Sequence, residues 1–159
     1  MKELLKDNSV DPSDQNNIII REAALNDNID AVKLLLDYGI PINVNSYTLL
    51  RIACGKNNLK LIKMFFNDYG VDIHSSSDIA IRSASEYGNL ELVKYLIDKG
   101  ADVNACDGEV IQFAIENCHA DIVELLIENG AKVKKSYIDY NYEEDHIIDT
   151  LLKKELDNN

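Results

Sequence analysis

The clearest pattern in the chain is YGNLELVKYLIDKGADVNA, which occupies residues 87–105. Its main apolar side chains follow in steps of three and four positions, from Leu90 to Val93 and from Val93 to Leu96 and Ile97. That spacing places them on one face of a helix. Gly88 and Gly100 lie on either side of this apolar stretch, and glycine adopts the left-handed backbone that often follows a helix without steric cost. The stretch therefore predicts a short amphipathic helix between two tight turns.

This pattern recurs along the chain with a period of 30 or 31 residues. A glycine ends each copy, at Gly39, Gly70, Gly100 and Gly130. An alanine lies 16 or 17 residues before each glycine, at Ala23, Ala53, Ala84 and Ala114. Two markers that stay in phase over four periods indicate an internal repeat, and such a repeat decides the fold class.

Each repeat is predicted to contain two helices, because a short apolar segment precedes the marker alanine and the amphipathic helix follows it. The first helix is expected to end four residues after the alanine, at Asp27, Asn57, Gly88 and Cys118. Asp, Asn and Gly tolerate a left-handed turn, whereas Cys118 should be strained there or adopt another turn. Two short helices cannot bury an apolar face alone, so the repeats are expected to stack into an all-α solenoid.

Residues 87–105 resemble the ankyrin repeat pattern G-H-L-E-I-V-x-x-L-L-x-x-G-A-D-V-N-A, and residues 47–53 are similar to its helix opening T-P-L-H-x-A. The resemblance covers residues 2–135. It implies helix-turn-helix repeats joined by hairpin loops, with a role in protein–protein interaction. After the fourth repeat the period fails, since Glu144 stands where a marker alanine is expected. The apolar spacing there predicts a C-terminal capping helix.

Two features depart from the family pattern. The family period is about 33 residues, and the missing residues lie between each glycine and the next alanine. Shortened hairpin loops are therefore expected at residues 45–47, 75–78 and 106–109. The family's helix-opening histidine, which links neighbouring repeats, is replaced by Arg21, Arg51, Arg82 and Gln112. These side chains have a different donor geometry, which puts the inter-repeat network in doubt.

The short period is similar to that of ankyrin proteins from giant DNA viruses of amoebae, the mimivirus-like group. A composition rich in Asn, Ile, Asp and Lys fits that source, and it also fits amoebae and some intracellular bacteria. The repeats predict one ankyrin-repeat domain, residues 1–156, and a tail, residues 157–159. The domain comprises an N-terminal half-repeat (1–12), four repeats (13–43, 44–74, 75–104 and 105–134) and the cap (135–156). The half-repeat is either a genuine short start or the remainder of a longer protein.

Composition limits the function classes. Lys and Arg number 16 against 28 Asp and Glu, which gives a formal charge of −12 and disfavours a nucleic-acid partner. No apolar run approaches the ~18 residues that span a bilayer, and the N-terminus lacks a signal-peptide pattern. Three scattered cysteines, Cys54, Cys106 and Cys118, indicate free thiols in an intracellular, reducing compartment. That compartment would be the host cytoplasm if the protein is viral.

The sequence contains no recognisable catalytic motif, so an enzyme, a cofactor and a metal are not expected. Cys106, Cys118 and His119 lack the close ligand pairs of zinc sites, and His119 fits the start of a second helix better. Cys54 is interpreted as a buried, small apolar residue. Asn104 matches the position that is hydroxylated in some ankyrin repeats. The favoured interpretation is an asparagine that satisfies backbone groups of a turn.

The resemblance places partner binding on the loop tips and the exposed side of the first helices. The candidate residues are Leu25, Asn26, Asn45, Ser46, Tyr47, Lys56, Ser75, Ser76, Asp78, Glu86, Tyr87, Cys106, Asp107, Glu109, Glu116 and Asn117. Tyr47 and Tyr87 are the expected anchors, because aromatic side chains dominate interface energetics. Each could instead pack on its own loop or on the next repeat.

The favoured hypothesis is a rigid protein–protein interaction module whose concave, acidic surface receives a basic protein of the host. Shortened loops could move recognition to the helical face. The alternative is a structural or assembly role, through self-association or as one segment of a longer repeat array. An enzyme is disfavoured, because a thin stack of short repeats rarely contains a catalytic pocket. The chain is expected to be a monomer or to self-associate weakly.

Overall fold

The computed structural model describes residues 18–137 and 146–158, without the side chains of residues 43–46, 146 and 158. Every regular element in these ranges is helical, which confirms the predicted all-α repeat fold. The contacts divide the chain into two compact units, Met1–Val71 and Asp72–Asn159. The single domain and its repeat boundaries stay predictions, and the half-repeat at residues 1–12 lies outside the described residues.

The first unit contains two helix pairs: α1 (Ile18–Leu25) with α2 (Ile29–Asp37), and α3 (Ile42–Gly55) with α4 (Leu59–Asn67). The first helix of each pair packs on its own second helix, and α1 packs on α3. Asn28 and Asn58 precede the second helices, and their side-chain oxygens accept backbone N–H groups at 3.0 and 2.9 Å. These caps satisfy donors that a helix N-terminus would otherwise leave unpaired.

The second unit repeats this arrangement. Its elements are α5 (Ser75–Glu86), α6 (Leu90–Asp98), α7 (Ala105–Glu116), α8 (Ala120–Glu128), a 3₁₀ turn (Lys135–Tyr137) and α9 (His146–Asn158). α5 packs on α7, α6 packs on α8, and α9 packs on α8. A helix at the C-terminal end, packed on the last repeat, is what the apolar spacing predicts.

The turns between first and second helices have the predicted left-handed conformation. The residues involved are Asp27, Asn57, Gly88 and Cys118, with φ between 50° and 74°. Cys118 adopts this turn at φ 58° although it is neither glycine nor a short polar residue. For such a residue the left-handed backbone costs about 1–2 kcal/mol, so the strain that the sequence predicts is present.

The loops are short, as predicted, but they are not hairpins. α3 already begins at Ile42, so no separate loop covers residues 45–47. In the second unit, residues 76–78 and 106–108 form left-handed turns with φ between 52° and 89°. The carboxylates of Asp72 and Asp102 accept the N–H two residues on, at 3.0 and 2.9 Å, and so fix the chain before each turn. One left-handed turn needs fewer residues than a hairpin, which accounts for the short period.

The core of each unit lies between its first and second helices. The fully buried side chains include Ile20, Leu35, Leu49, Ile62 and Phe65 in the first unit and Ile81, Leu92, Leu96, Ile111 and Leu126 in the second. Burying one such side chain contributes about 1.5–3 kcal/mol. Cys54 is also fully buried, as predicted, and burial raises the pKa of its thiol to about 12. α9 adds Ile148 and Leu152 to the core of the second unit.

Candidate functional site

The most regular group of predicted site residues lies at the ends of α5 and α7. Tyr87 is 43% exposed, Glu116 and Asn117 are exposed, and Glu86 is half-buried. Glu86 and Glu116 occupy the same repeat position, as do Tyr87 and Asn117. Because α5 packs on α7, the two pairs lie on neighbouring edges of the second unit. We call Glu86, Tyr87, Glu116 and Asn117 the repeat edge.

A histidine beneath the repeat edge holds the turn at Gly88. The Nε2 of His119 donates to the carbonyl of Glu86 at 3.3 Å, and His119 immediately precedes α8, as the sequence predicts. The ring lies so close to Gly88 that a Cβ there would be 2.6 Å from its Cε1. The edge is therefore fixed from the neighbouring repeat.

Arg82 links neighbouring repeats at the loops. Its guanidinium donates to the carbonyls of Ser76 and Ser77 at 3.5 and 3.4 Å and forms an ion pair with Glu109 of the next repeat. An inter-repeat contact thus exists in the second unit without the family's histidine. Gln112, at the equivalent position, instead donates to Glu116 within its own helix at 2.7 Å.

Sequence reasoning missed Arg82 as part of the site, although an arginine at this position in three repeats was a usable signal. A long charged side chain on a helix usually indicates a solvated surface. In the structure its side chain is only 17% exposed, and its partner Glu109 was predicted to face a binding partner. Glu109 is therefore occupied within the chain.

Asp107 and Asn104 bind the segment that follows α8. The Nζ of Lys134 lies 2.6 Å from both the carboxylate and the carbonyl of Asp107. This contact lowers the pKa of the Asp107 carboxyl and raises that of Lys134. Asn104 accepts the N–H of Lys132 at 2.8 Å and donates to the carbonyl of Gly130 at 3.0 Å. The interpretation of Asn104 as a residue that satisfies turn backbone groups is confirmed.

Asp78 does not lie on the surface and is removed from the candidate site. It is 6% exposed, and it accepts the N–H of Asp102 at 2.9 Å and the Nδ1–H of His74 at 3.0 Å. A buried carboxylate needs such donors. Both donors bind Oδ1 of Asp78, which thereby joins two loops from a buried position.

The remaining candidates in the second unit are small. Ser76 and Cys106 are exposed and Ser75 is half-buried. The Sγ of Cys106 lies 3.9 Å from the carbonyl of Ser77, so the thiol at most shares a weak contact with the preceding loop. Cys118 is also exposed, and none of the three thiols forms a disulfide.

The candidates of the first unit are exposed wherever the structure describes their side chains. Leu25 and Tyr47 are 39% and 46% exposed, and Asn26 and Lys56 are exposed. The side-chain amide of Asn26 donates to the carbonyl of Glu22 at 2.8 Å and so caps its own helix. The side chains of Asn45 and Ser46 lie outside the described residues.

In residues 18–137 and 146–158, no three His, Cys, Asp or Glu side chains are grouped as a metal site requires. None of the helices in that part of the chain has the length and apolar character that a bilayer span requires.

Comparison with known proteins identifies the repeat. The family model for ankyrin repeats (three copies) matches residues 1–77 and 50–137, which together span 1–137 of the 159 residues. No curated protein matches the chain significantly. Ankyrin repeat proteins are typically non-enzymatic scaffolds that mediate protein–protein interaction. Because the family model covers well over half of the sequence, the chain belongs to the ankyrin repeat family.

Proposed function

We propose that this protein is a rigid scaffold whose repeat edge binds a protein partner. The observation that carries the proposal is the exposure of Tyr87 beside Glu86, with Glu116 and Asn117 at the same positions of the next repeat. An exposed tyrosine presents a large apolar ring with a polar end, the side-chain type most enriched at the centre of interfaces. Polar neighbours on the next repeat would form the rim around it.

The rigidity of the edge supports this role. His119 holds the Glu86 carbonyl, Arg82 pairs with Glu109, and Gln112 holds the Glu116 carboxylate at 2.7 Å. Side chains that are already positioned lose little conformational entropy when a partner binds. The repeat edge should therefore bind without a change in backbone conformation.

The partner is expected to be basic. The net charge of −12 would steer a positively charged protein and make the association rate sensitive to salt. We place the interaction in a reducing compartment, because none of the three cysteines forms a disulfide and disulfides are rare in such compartments. The similarity of the short repeats to those of giant viruses of amoebae makes a host protein the proposed partner.

The test is an affinity capture from amoebal lysate with the native chain and two tyrosine variants. Tyr87→Ala removes the proposed anchor. Tyr38→Ala is the matched control, because Tyr38 is 46% exposed but follows α2, a second helix. Both variants must keep the thermal transition of the native chain. We expect a captured protein that is lost with Tyr87→Ala and retained with Tyr38→Ala.

Other outcomes contradict the proposal in different ways. Equal capture by both variants would move the binding surface away from the repeat edge. If nothing is captured and the chain forms concentration-dependent oligomers in sedimentation velocity, the assembly role replaces partner binding.

A further inference from the structure

A groove of about 100 Å³ lies between α8 and α9 in the second unit. Glu124, Ile127 and Glu128 line it from α8, and Leu151, Lys154 and Glu155 line it from α9. Small-molecule sites usually have volumes of about 300–1,000 Å³, so this groove is too small for a cofactor. Its volume and its half-buried apolar floor, Ile127 and Leu151, suit a single side chain.

The groove contains a reversal of charge within the repeat pattern. The residue that follows the buried valine or isoleucine of each second helix is Lys33, Lys63, Lys94 and Glu124, in chain order. Among the four second helices that the structure describes, α8 alone has no Lys or Arg, and it contains Asp121, Glu124 and Glu128. The lysine of three repeats is thus replaced by a carboxylate at the position that faces the groove.

Within residues 18–137 and 146–158, Glu124 and Glu128 form no ion pair, although Lys154 also lines the groove. Both glutamates are exposed and one turn apart. A cationic side chain of a partner could therefore pair with the carboxylates of Glu124 and Glu128 without displacing a described ion pair.

We propose that this groove binds a lysine or arginine side chain of the protein partner. The aliphatic part of such a side chain would cover Ile127 and Leu151, as long basic side chains cover apolar surface elsewhere. The charged end would then reach Glu124 and Glu128 in charge-assisted hydrogen bonds. The inference rests on the proposed function, since it assumes a protein partner, but it uses α8 and α9 and not the repeat edge.

The rival explanation is that Glu124 attracts Lys154 and so holds α9 on α8. The carboxylate at position 124 would then stabilise the packing of α9 on α8 and have no role in binding. The two explanations differ in what a glutamine at this position does, because the rival predicts lost stability and unchanged binding.

The test is a titration of the ¹⁵N-labelled full chain with acetyl-tetralysine-amide at 150 mM salt, followed by amide NMR shifts. The same peptide with acetylated lysines keeps the aliphatic stems and lacks the charge. Glu124→Gln and Glu128→Gln are the test variants. Asp98→Asn is the matched control, because Asp98 occupies the position of Glu128 in the preceding repeat and is exposed.

We expect the tetralysine peptide to shift the amides of Ile127 and Leu151 and the acetylated peptide to leave them unchanged. Each glutamine should weaken binding about two- to fivefold, the range of one exposed ion pair. Asp98→Asn should weaken it less than about 1.5-fold, because Asp98 does not line the groove and salt at this concentration screens exposed charges that make no direct contact.

Three results would overturn the inference: equal weakening by Asp98→Asn, equal binding of the acetylated peptide, or a lower thermal midpoint for Glu124→Gln with unchanged affinity. The first would assign the binding to diffuse acidity, and the third would support the pairing with Lys154. Each leaves the capture experiment with Tyr87→Ala unaffected, so the failure of the groove and the failure of the scaffold role are distinguishable.

Discussion

Replacement of Gly88 by alanine should destabilise the second unit by about 2–4 kcal/mol. The backbone at this residue is left-handed, with φ 74°, which costs about 1–2 kcal/mol for alanine. The new Cβ would lie 2.6, 2.8 and 2.9 Å from three ring atoms of His119. The ring must therefore move, which costs about 1–3 kcal/mol as overpacking.

Two smaller effects also contribute to the change in the free energy of unfolding of Gly88→Ala. Movement of the His119 ring breaks its 3.3 Å hydrogen bond to the Glu86 carbonyl, a loss of about 0.5–1.5 kcal/mol. Alanine also lowers the conformational entropy of the unfolded chain more than glycine does, which stabilises the folded protein by about 0.4–1 kcal/mol. The movement of the ring and the loss of its hydrogen bond overlap, so the net cost stays near the stated range.

Gly100→Ala is the control for the backbone contribution alone. Gly100 is also left-handed, with φ 92°, but a Cβ there meets no atom within 4 Å. This variant should cost only about 1 kcal/mol, from strain offset by the unfolded chain. The free energies of unfolding would be measured by urea denaturation followed by circular dichroism, with equal m-values as the requirement for comparison.

A double variant tests the cause of the difference. In a His119→Ala background the ring is absent, so Gly88→Ala should cost no more than Gly100→Ala does. If the two glycine variants are equally stable in the native background, the close approach of the ring has no energetic consequence. The same conclusion follows if removal of His119 leaves the cost of Gly88→Ala unchanged.

Three further outcomes are expected. In the native protein a thiol reagent at pH 8 should label the exposed Cys106 and Cys118. Cys54 should react only in denaturant, because burial raises its pKa to about 12. Labelling of all three cysteines in the native protein would contradict this. Tyr69→Phe should cost about 0.5–1.5 kcal/mol at pH 7, since the hydroxyl donates to Asp37 at 2.6 Å. Burial and this bond raise the pKa of Tyr69. The hydroxyl therefore contributes fully to the free energy of unfolding below pH ~10, and the contribution is lost as the pH rises further. At high pH, urea denaturation should give more similar free energies for the native protein and the variant. Ser85→Ala should raise the free energy of unfolding by about 1 kcal/mol, because the fully buried hydroxyl makes no hydrogen bond within the described residues. A lower midpoint in the same assay would show a partner for that hydroxyl.

The helices and their turns could be predicted from the sequence because local rules determine them. Apolar spacing decides which face is buried, and a residue that tolerates positive φ decides where each helix ends. Cys118 is the informative case. It is a poor residue for a left-handed turn, yet it adopts φ 58°, because the stacking of the repeat determines the turn and the side chain is only tolerated.

The form of the loops could not be predicted in this way. Counting residues shows that the loops are short, but the left-handed turn at Ser76, Ser77 and Asp78 opposes the local preference of the two serines. Contacts from other parts of the chain stabilise it. Asp78 accepts the N–H of Asp102, and Arg82 binds the carbonyls of both serines.

The candidate site was predictable where repeat position alone decides exposure, as at Tyr87 and Asn117. The prediction of exposure was wrong where a side chain has a partner elsewhere in the chain. Asp78 is in the predicted loop, but its carboxylate points into the chain as the acceptor of two donors. Arg82 reads as a surface residue, and its ion pair with Glu109 depends on a residue 27 positions later, which no local pattern indicates.

The short loops have a consequence for recognition. A hairpin presents side chains beyond the helices and can adjust to a partner, whereas a left-handed turn held by Asp78 and Arg82 does neither. The carboxylates nearest the loops, Asp107 and Glu109, are already paired with Lys134 and Arg82. Because these carboxylates are paired within the chain, positions outside the loops are better placed to give a partner its specificity. The repeat edge around Tyr87 and the groove beside Glu124 are two such positions, and both can be tested without altering a single loop residue.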